Sequence, residues 1–592
     1  MNVKVDEEID RIVVSISRME KGGDFPGYIS HIVFPRFKGL ERGARIDFDF
    51  PVTALVGANG IGKSSVLHAL WGAPFGYSTS KFWFATELDP IEGQARDTQR
   101  YFYGHWNDAA GRFVETRKAR LGSRRTDYWE PYRTSTADGM APLPAGDFPG
   151  KSKDRWNPVR RDCVYINLKA IFGSFDRYFY FEDETGSSER REAMLREASR
   201  LKQIADTERQ SYRLGGGRER LFENRMLTDE ELSHVSSILG REYVSARVIR
   251  HSLYPRNRGE DLSVIFQSSK TYSEAYAGSG EISVVAAVAK ILSANRGSLI
   301  LLDEPETSLH PGAQRMMLRF LLQQSRLNRH QIILSTHSME FLKGLPSSAV
   351  KVFENTGAGG TRVLQGCSPS AALWRLGRPP EQKLRVLVED DIASIVTERA
   401  ARMLDAGDYE TLDIRIAPGG ADAILSHLAP SALASADDLR VLLDGDKKKV
   451  EMFTDPQAVA PADLESLDER VLAESGVRPA LHIPGGRDTA GHKQAKQVAL
   501  LSYLSWMRQG LAYLPKPTPE HIIIDSIRGL GASAELSAAQ AKEQLRILLY
   551  DGADLRLGAE EYRGLVKLAV ARIGDDNADL QIILRQLQSW LV

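Results

Sequence analysis

Eight consecutive residues, Gly57-Ala58-Asn59-Gly60-Ile61-Gly62-Lys63-Ser64, follow the spacing G-x-x-x-x-G-K-S. That spacing suits a loop that cradles phosphates. The glycines let the backbone turn its amides inward towards anionic oxygens. Lys63 brings a point charge to the β and γ phosphates, and the Ser64 hydroxyl can ligate Mg2+. Downstream, Leu299-Ile300-Leu301-Leu302 runs into Asp303-Glu304-Pro305. An apolar strand delivering two carboxylates suits a metal shell at Asp303. It also suits a group at Glu304 that orients or deprotonates an attacking water. A further apolar run from Gln331 ends in Ser335-Thr336-His337-Ser338, where His337 stands to sense a γ phosphate. The chemistry these residues suit is ATP hydrolysis with Mg2+.

Such groups work only if strands and helices hold them. Val52 to Val56 reads as a strand ending in the loop, and Ser65 to Leu70 as a helix whose N-terminus faces the anion. Tyr28 to Phe34 and Ile46 to Phe50 alternate in the manner of strands. Tyr276-Ala277-Gly278-Ser279-Gly280-Glu281 opens an apolar helix, Ile282 to Leu292. The whole chain has 592 residues, so two to four domains are expected. Lys plus Arg number 77 and Asp plus Glu 78, for a formal charge of −1. That balance excludes a wholly basic nucleic-acid coat and an acidic disordered tail, though not a local basic groove. No run approaches the roughly 18 apolar residues of a membrane span. The start, MNVKVDEEIDRIV, carries charges where a signal peptide would need an apolar core. Two cysteines, Cys163 and Cys367, are too few for a disulfide framework. The expectation is a cytoplasmic, multidomain protein with no membrane contact.

Residues 82–161 interleave basic and aromatic side chains, among them Arg100, Tyr101, Tyr103, Arg117, Lys118 and Trp129. Two readings stay open. Basic charge with aromatic faces suits DNA or RNA, or a partner protein, and the same aromatics could pack on the domain that carries them. Residues 184–240 hold a charged helical stretch with no sustained heptad, which reads as a short insertion rather than a coiled-coil arm.

In order, the phosphate loop, G-S-G-E, D-E-P-E-T-S-L-H-P and S-T-H-S resemble the ABC-type ATPase heads of SMC, RecF and OLD-like proteins. The resemblance implies ATP-binding residues Gly57 to Ser65. It further implies that Gly278, Ser279, Gly280 and Glu281 form a signature stretch closing on the γ phosphate of the opposite subunit. Catalysis would then rest on Glu304, His337, Lys63 and Ser279, in a homodimer of heads or a higher homo-oligomer. The family's glutamine between the two motifs has one candidate, Gln99.

Beyond Pro379-Pro380 the pattern changes. Lys383 to Val388 reads as a strand ending in Glu389, Thr411 to Ile416 as a second, and Leu439 to Leu443 as a third presenting Asp444-Gly445-Asp446. Alternating strands and helices argue for a parallel sheet whose site lies at the strand C-terminal ends. Three carboxylates there suit Mg2+ and phosphodiester chemistry. The layout resembles the TOPRIM domain of OLD-family nucleases, which implies Glu389, Asp444 and Asp446 as metal-binding residues. Where that family has an aspartate four positions after the glutamate, this chain has Ala393, and Asp390 and Asp391 point elsewhere along a helix. Leu481-His482-Ile483-Pro484-Gly485-Gly486, following an expected strand from Arg478, resembles ATPase subunits of bacterial anti-phage systems of the OLD, PARIS-like and Septu- or retron-associated kinds.

The expected architecture is α/β. An ABC-type P-loop ATPase head spans 1–375, a TOPRIM-like Rossmannoid domain 381–490, and a mainly helical C-terminal region 491–592. The resemblance implies a sensor and scaffold ATPase of anti-phage defence that controls a separate toxic effector. A self-contained OLD-like nuclease is the alternative, and a RecF- or SMC-like repair ATPase the third.

Overall fold

Val52–Gly57 is buried at all six positions, which a strand achieves only when both faces of its sheet are covered. It lies inside a six-stranded sheet of the computed structural model. The spatial order is Thr361–Gln365, Val350–Asn355, Val52–Gly57, Gln331–Thr336, Leu299–Asp303, Cys163–Asn167. All neighbours run parallel except the outer pair of Val350–Asn355 with Thr361–Gln365. Parallel register therefore brings several strand C-termini to one edge, with Asp303 opposite both Ser335 and Asn167.

The structure describes residues 2–91, 97–121, 128–181, 187–214, 217–253, 260–356, 360–367, 369, 372, 383–404, 406–434, 439–481, 490–550 and 558–591. It divides into two compact units, Met1–Ala372 and Leu373–Val592.

In the first unit, residues 82–161 contribute most of a five-stranded antiparallel sheet. Its order is Ala44–Asp47, Ile29–Arg36, Arg100–Asn107, Arg112–Leu121, Tyr128–Tyr132. Tyr101, Tyr103 and Trp129 are buried and join one core with Phe34, Phe37, Leu55 and Leu67. The basic residues are occupied too. Arg100 pairs with Asp97 and Asp138, Arg117 pairs with Asp138, and burial pushes the Lys118 ammonium down to about 8. Of the two readings of this stretch, packing accounts for these residues, while Phe113 and Tyr128 remain exposed. Within 184–240 the charged helical stretch is the helix Ser187–Asp206, and the strand Leu221–Met226 and a second helix, Asp229–Leu239, share the segment with it. That strand opens a second antiparallel sheet with Ser245–His251, Asp261–Gln267 and Thr271–Ser273. Its partners lie beyond residue 240, which local periodicity cannot see.

The second unit holds a parallel sheet ordered Leu412–Ile416, Leu384–Val388, Leu439–Leu443, Leu511–Tyr513. Alternation along the strands feeds two cores. Val386, Val388 and Leu442 face one with Ile523, Leu545 and Trp590, while Leu387, Val441 and Leu443 face the other with Tyr503 and Met507. The expected boundary at 490/491 thus falls within one unit, because the fourth strand and the last helices complete its sheet and core. The closing helix Ala578–Leu591 docks on this same unit, with Trp590 Nε1 donating to the Gln509 carbonyl at 3.0 Å. The strand expected from Arg478 is not seen at 478–481, and the rest of that motif lies outside the described residues. Among the described residues, no helix is long and apolar enough to cross a membrane.

Candidate functional site

The helix Lys63–Trp71 starts at Gly62, whose φ of 107° is left-handed backbone that L side chains resist. Ala58, Asn59 and Gly60 form the exposed crest of the loop, Ile61 is buried under it, and Ser65 lies in the first helical turn. Lys63 folds back beneath the crest. Its Nζ donates to the Gly57 and Ala58 carbonyls at 2.7 and 2.9 Å and lies 3.0 Å from His337 Nε2. Burial holds its ammonium below the usual lysine range, against the opposing pull of Glu304, Asp303 and Glu306.

Asp303 is buried and surrounded by hydroxyl donors. Ser64 and Ser335 donate to Oδ1 at 3.0 and 2.5 Å, and Tyr165 donates to Oδ2 at 3.0 Å. An alcohol beside a fixed carboxylate is the oxygen donor set that Mg2+ takes. Ser64 and Asp303 therefore fit the ion that accompanies ATP. Glu304 follows in left-handed backbone, φ 48°, with its amide donating to Ser335 Oγ at 3.0 Å. Its carboxylate meets Lys169 Nζ at 2.6 Å and His337 Nε2 at 3.5 Å. The His337 imidazole is held below its ordinary value by burial and then by Lys63, with Glu304 opposing. The His337 amide donates to Glu306 Oε1 at 2.6 Å, and burial raises the Glu306 carboxyl.

Lys63, Ser64, Asp303, Glu304 and His337 thus converge on one sheet edge. The signature stretch does not join them within this chain: among the described residues no hydrogen bond or ion pair links Ser279 to the phosphate loop. Ser279 and Gly278 are exposed at the start of the helix Ser279–Leu292. The Glu281 carboxylate turns into its own surroundings, accepting from the Gly278 amide at 2.8 Å and from the Tyr243 and Tyr272 hydroxyls at 2.5 and 2.6 Å. Gly280 is needed for packing, since a Cβ there would stand 2.5 Å from the Ser308 carbonyl oxygen. Gln99 is not at this edge. It is buried beside the other sheet, where its side chain accepts from the Lys38 amide at 3.0 Å. Sequence reasoning missed Tyr165 and Lys169. The one available signal was the short strand-like run Cys163–Asn167, with a lysine two residues beyond its end.

In the second unit, Glu389 and Asp444 end adjacent parallel strands, and the Asp444 amide donates to Glu389 Oε1 at 2.8 Å. Asp446 pairs with Lys447 at 3.4 Å. Asp390 caps the helix Asp391–Ala401 by accepting from the Ala393 amide at 2.9 Å, and Asp391 pairs with Arg563. Neither takes the place of the missing aspartate, and Ala393 itself is fully buried in the core. Glu520 enters this region unforeseen. It is fully buried, neither of its oxygens has a hydrogen-bond partner, and its charge acts on Asp444, whose Oδ1 is likewise unpartnered. The turn is tight, for a Cβ at Gly445 would stand 2.3 Å from the Lys516 carbonyl oxygen. Among the described residues, no three acidic, histidine or cysteine side chains are already arranged to hold a metal.

Burial, followed by Glu389 and Asp390, pushes the Asp444 carboxyl up to about 8 from 3.8. A carboxyl raised on folding takes up a proton in the folded state. The stability it lends is complete below pH 4 and is lost as pH rises through about 8. Chemical denaturation of the full chain, followed in the second unit, should therefore show stability falling between those limits, by at most about 1.4 kcal/mol per pH unit. Asp444→Asn should flatten that fall. An unchanged slope in the variant would show that the proton sits elsewhere.

Residues 34–105 match an AAA domain family, and residues 178–342 match an AAA ATPase domain family. The first stretch contains the phosphate loop; the second contains Asp303, Glu304 and His337. The chain carries a P-loop ATPase domain. No curated protein sequence matches it. Among solved structures, the SMC head domain from Thermotoga maritima is 14% identical, covering 57% of this chain and 98% of its own, with a TM-score of 0.28. An Smc head bound to the C-terminal winged-helix domain of ScpA is 14% identical over 57% of this chain and 97% of its own, at 0.32. A third, an Smc head with an extended coiled coil bound to the C-terminal domain of ScpA derived from Pyrococcus furiosus, is 14% identical at 57% and 96% coverage, with 0.31.

Proposed function

We propose that this chain is an ATP-hydrolysing switch of a bacterial anti-phage defence system, which holds a separate effector and releases it according to nucleotide state. The observation that carries the ATPase part is the convergence of Lys63, Ser64, Asp303, Glu304 and His337 on one strand edge. Lys63 and the loop amides would bind the phosphates, and Mg2+ held by Ser64 and Asp303 would neutralise their charge. Tyr165 and Ser335 fix the Asp303 carboxylate, so its lone pairs keep their direction. Glu304 aligns the attacking water and takes its proton. Burial and Lys63 hold the His337 imidazole below its ordinary value, and with the proton on Nε2 it would donate to the transferring phosphate once the contact with Lys63 gives way. A homodimer of heads, or a higher homo-oligomer, would supply the exposed Ser279 to the opposite site.

The separate effector is favoured by the second unit, where Ala393 is core and Asp390 and Asp391 are otherwise engaged. A second reading, an Mg2+-dependent nuclease acting through Glu389, Asp444 and Asp446, has its own support in the unpartnered oxygens of Asp444 and Glu520. Buried acids without partners are where a cation or a proton is missing. The test is cleavage of supercoiled DNA by the purified chain with Mg2+ or Mn2+, with and without ATP. The switch reading expects no nicking while ATPase activity persists. Metal-dependent nicking that disappears in Asp444→Ala would replace it with the nuclease reading.

A further inference from the structure

Glu304 is the group that must be free to hold water, yet in this structure its carboxylate is occupied. Lys169 Nζ lies 2.6 Å from Glu304 Oε1. The other cations nearby are less available to it. Lys63 is buried and tied to two carbonyls, and His337 is held below its ordinary value by burial and Lys63. Lys169 alone among these three stands half in solvent, its side chain 47% exposed.

The backbone that carries it is fixed at both ends. The Asn167 side chain accepts from the Lys169 amide at 3.1 Å, and Asn167 is in register with Asp303 across the parallel pair. Five residues on, Ser174 Oγ donates to the buried Glu274 at 2.6 Å, and a Cβ at Gly173 would stand 2.7 Å from the Glu274 Cγ. The moving part is therefore the Lys169 side chain, which has four rotatable bonds and a strongly hydrated head. A terminal phosphate entering beside Glu304 carries more negative charge than a carboxylate and competes for the same ammonium.

We infer that Lys169 is a positioning residue for ATP turnover: it pairs with Glu304 and leaves it for the third phosphate of ATP. Glu304 is thereby withheld from water until a triphosphate is present, and ADP, lacking that phosphate, leaves the pair in place. The inference rests on the ATPase reading.

The test is calorimetric binding of the non-hydrolysable ATP analogue AMPPNP and of ADP, each with Mg2+, to the full chain and its variants. Lys169→Ala should weaken AMPPNP by about tenfold, the scale of one lost charge-assisted hydrogen bond, and leave ADP within about threefold. Lys169→Arg should restore the preference for the triphosphate. Glu304→Gln should tighten AMPPNP, and that gain should vanish in the Lys169→Ala, Glu304→Gln double variant, because the two side chains act through one contact. If AMPPNP and ADP shift together, or the two substitutions add independently, Lys169 is only a surface ion pair. If the wild-type chain binds neither nucleotide, the ATPase reading fails first and takes this inference with it.

Discussion

In Glu304→Gln, ATP remains bound while turnover falls roughly 100- to 10,000-fold, the usual contribution of a positioned acid–base group. The substitution preserves shape because the backbone, not the charge, aims this side chain. Glu304 sits at φ 48° with its amide bonded to Ser335, and neither feature depends on the carboxylate. What is lost is the ability to accept a proton from water. The pair with Lys169 is lost as well, so nucleotide is held at least as tightly as in the wild type. Phosphate release under steady state, together with retention of labelled ATP after gel filtration, measures both halves. Turnover within threefold of wild type would remove Glu304 from the mechanism and leave His337 and Lys63 to account for activity.

Arg161→Met lowers the stability of the first unit by about 3–5 kcal/mol, the cost of removing one member of a buried polar network. Arg161 is buried, and it donates to the Gly297, Gly27 and Ser298 carbonyls and to Gln331 Oε1. Burial pulls its guanidinium down only to about 10, so it stays charged at neutral pH. Gln331 in turn bonds both the amide and the carbonyl of Ile29. One side chain therefore joins the antiparallel sheet to the starts of two strands that end in Asp303 and Thr336. Methionine fills much of the volume but leaves several acceptors without a donor. Chemical denaturation monitored in the first unit gives the loss directly. Lys202→Ala, at an exposed i,i+4 pair, is the control and should change stability by less than about 0.5 kcal/mol. An Arg161 variant as mild as that control would mean that water satisfies those carbonyls.

The two halves of the ATP site differ in how visible they were beforehand. Gly57 to Ser64 is contiguous, and its conformation follows from its own glycines, with φ of 77° at Gly60 and 107° at Gly62. Asp303 and Glu304 could be read because an apolar strand must end where two carboxylates begin. Tyr165 and Lys169 carry no such mark. Their partners lie on another strand and meet them only through the register that sets Asn167 opposite Asp303. Composition likewise could not separate the two readings of residues 82–161. A buried and an exposed tyrosine are spelled alike, and only the pairing of Arg100–Asn107 with its neighbours turned Tyr101 and Tyr103 into the core.

The second unit shows the same division. Its first three strands, and Glu389 and Asp444 at their ends, follow from runs of apolar residues stopped by acids. The fourth strand, Leu511–Tyr513, is only three residues long and follows a helix without a break, so no periodicity announces it. Asp390 became a helix cap and Asp391 half of an ion pair because of where the helix Asp391–Ala401 begins and what packs beside it. The sequence by itself determined which segments could bind phosphate and which strands would deliver acids, since each is set by neighbours a few residues away. The tertiary structure decided which of those acids are paired, capped, or left without a partner. Burial and Coulomb interaction act through space: they pair Glu304 with Lys169 and set the like charge of Glu520 against Asp444, across stretches of chain that carry no trace of either effect.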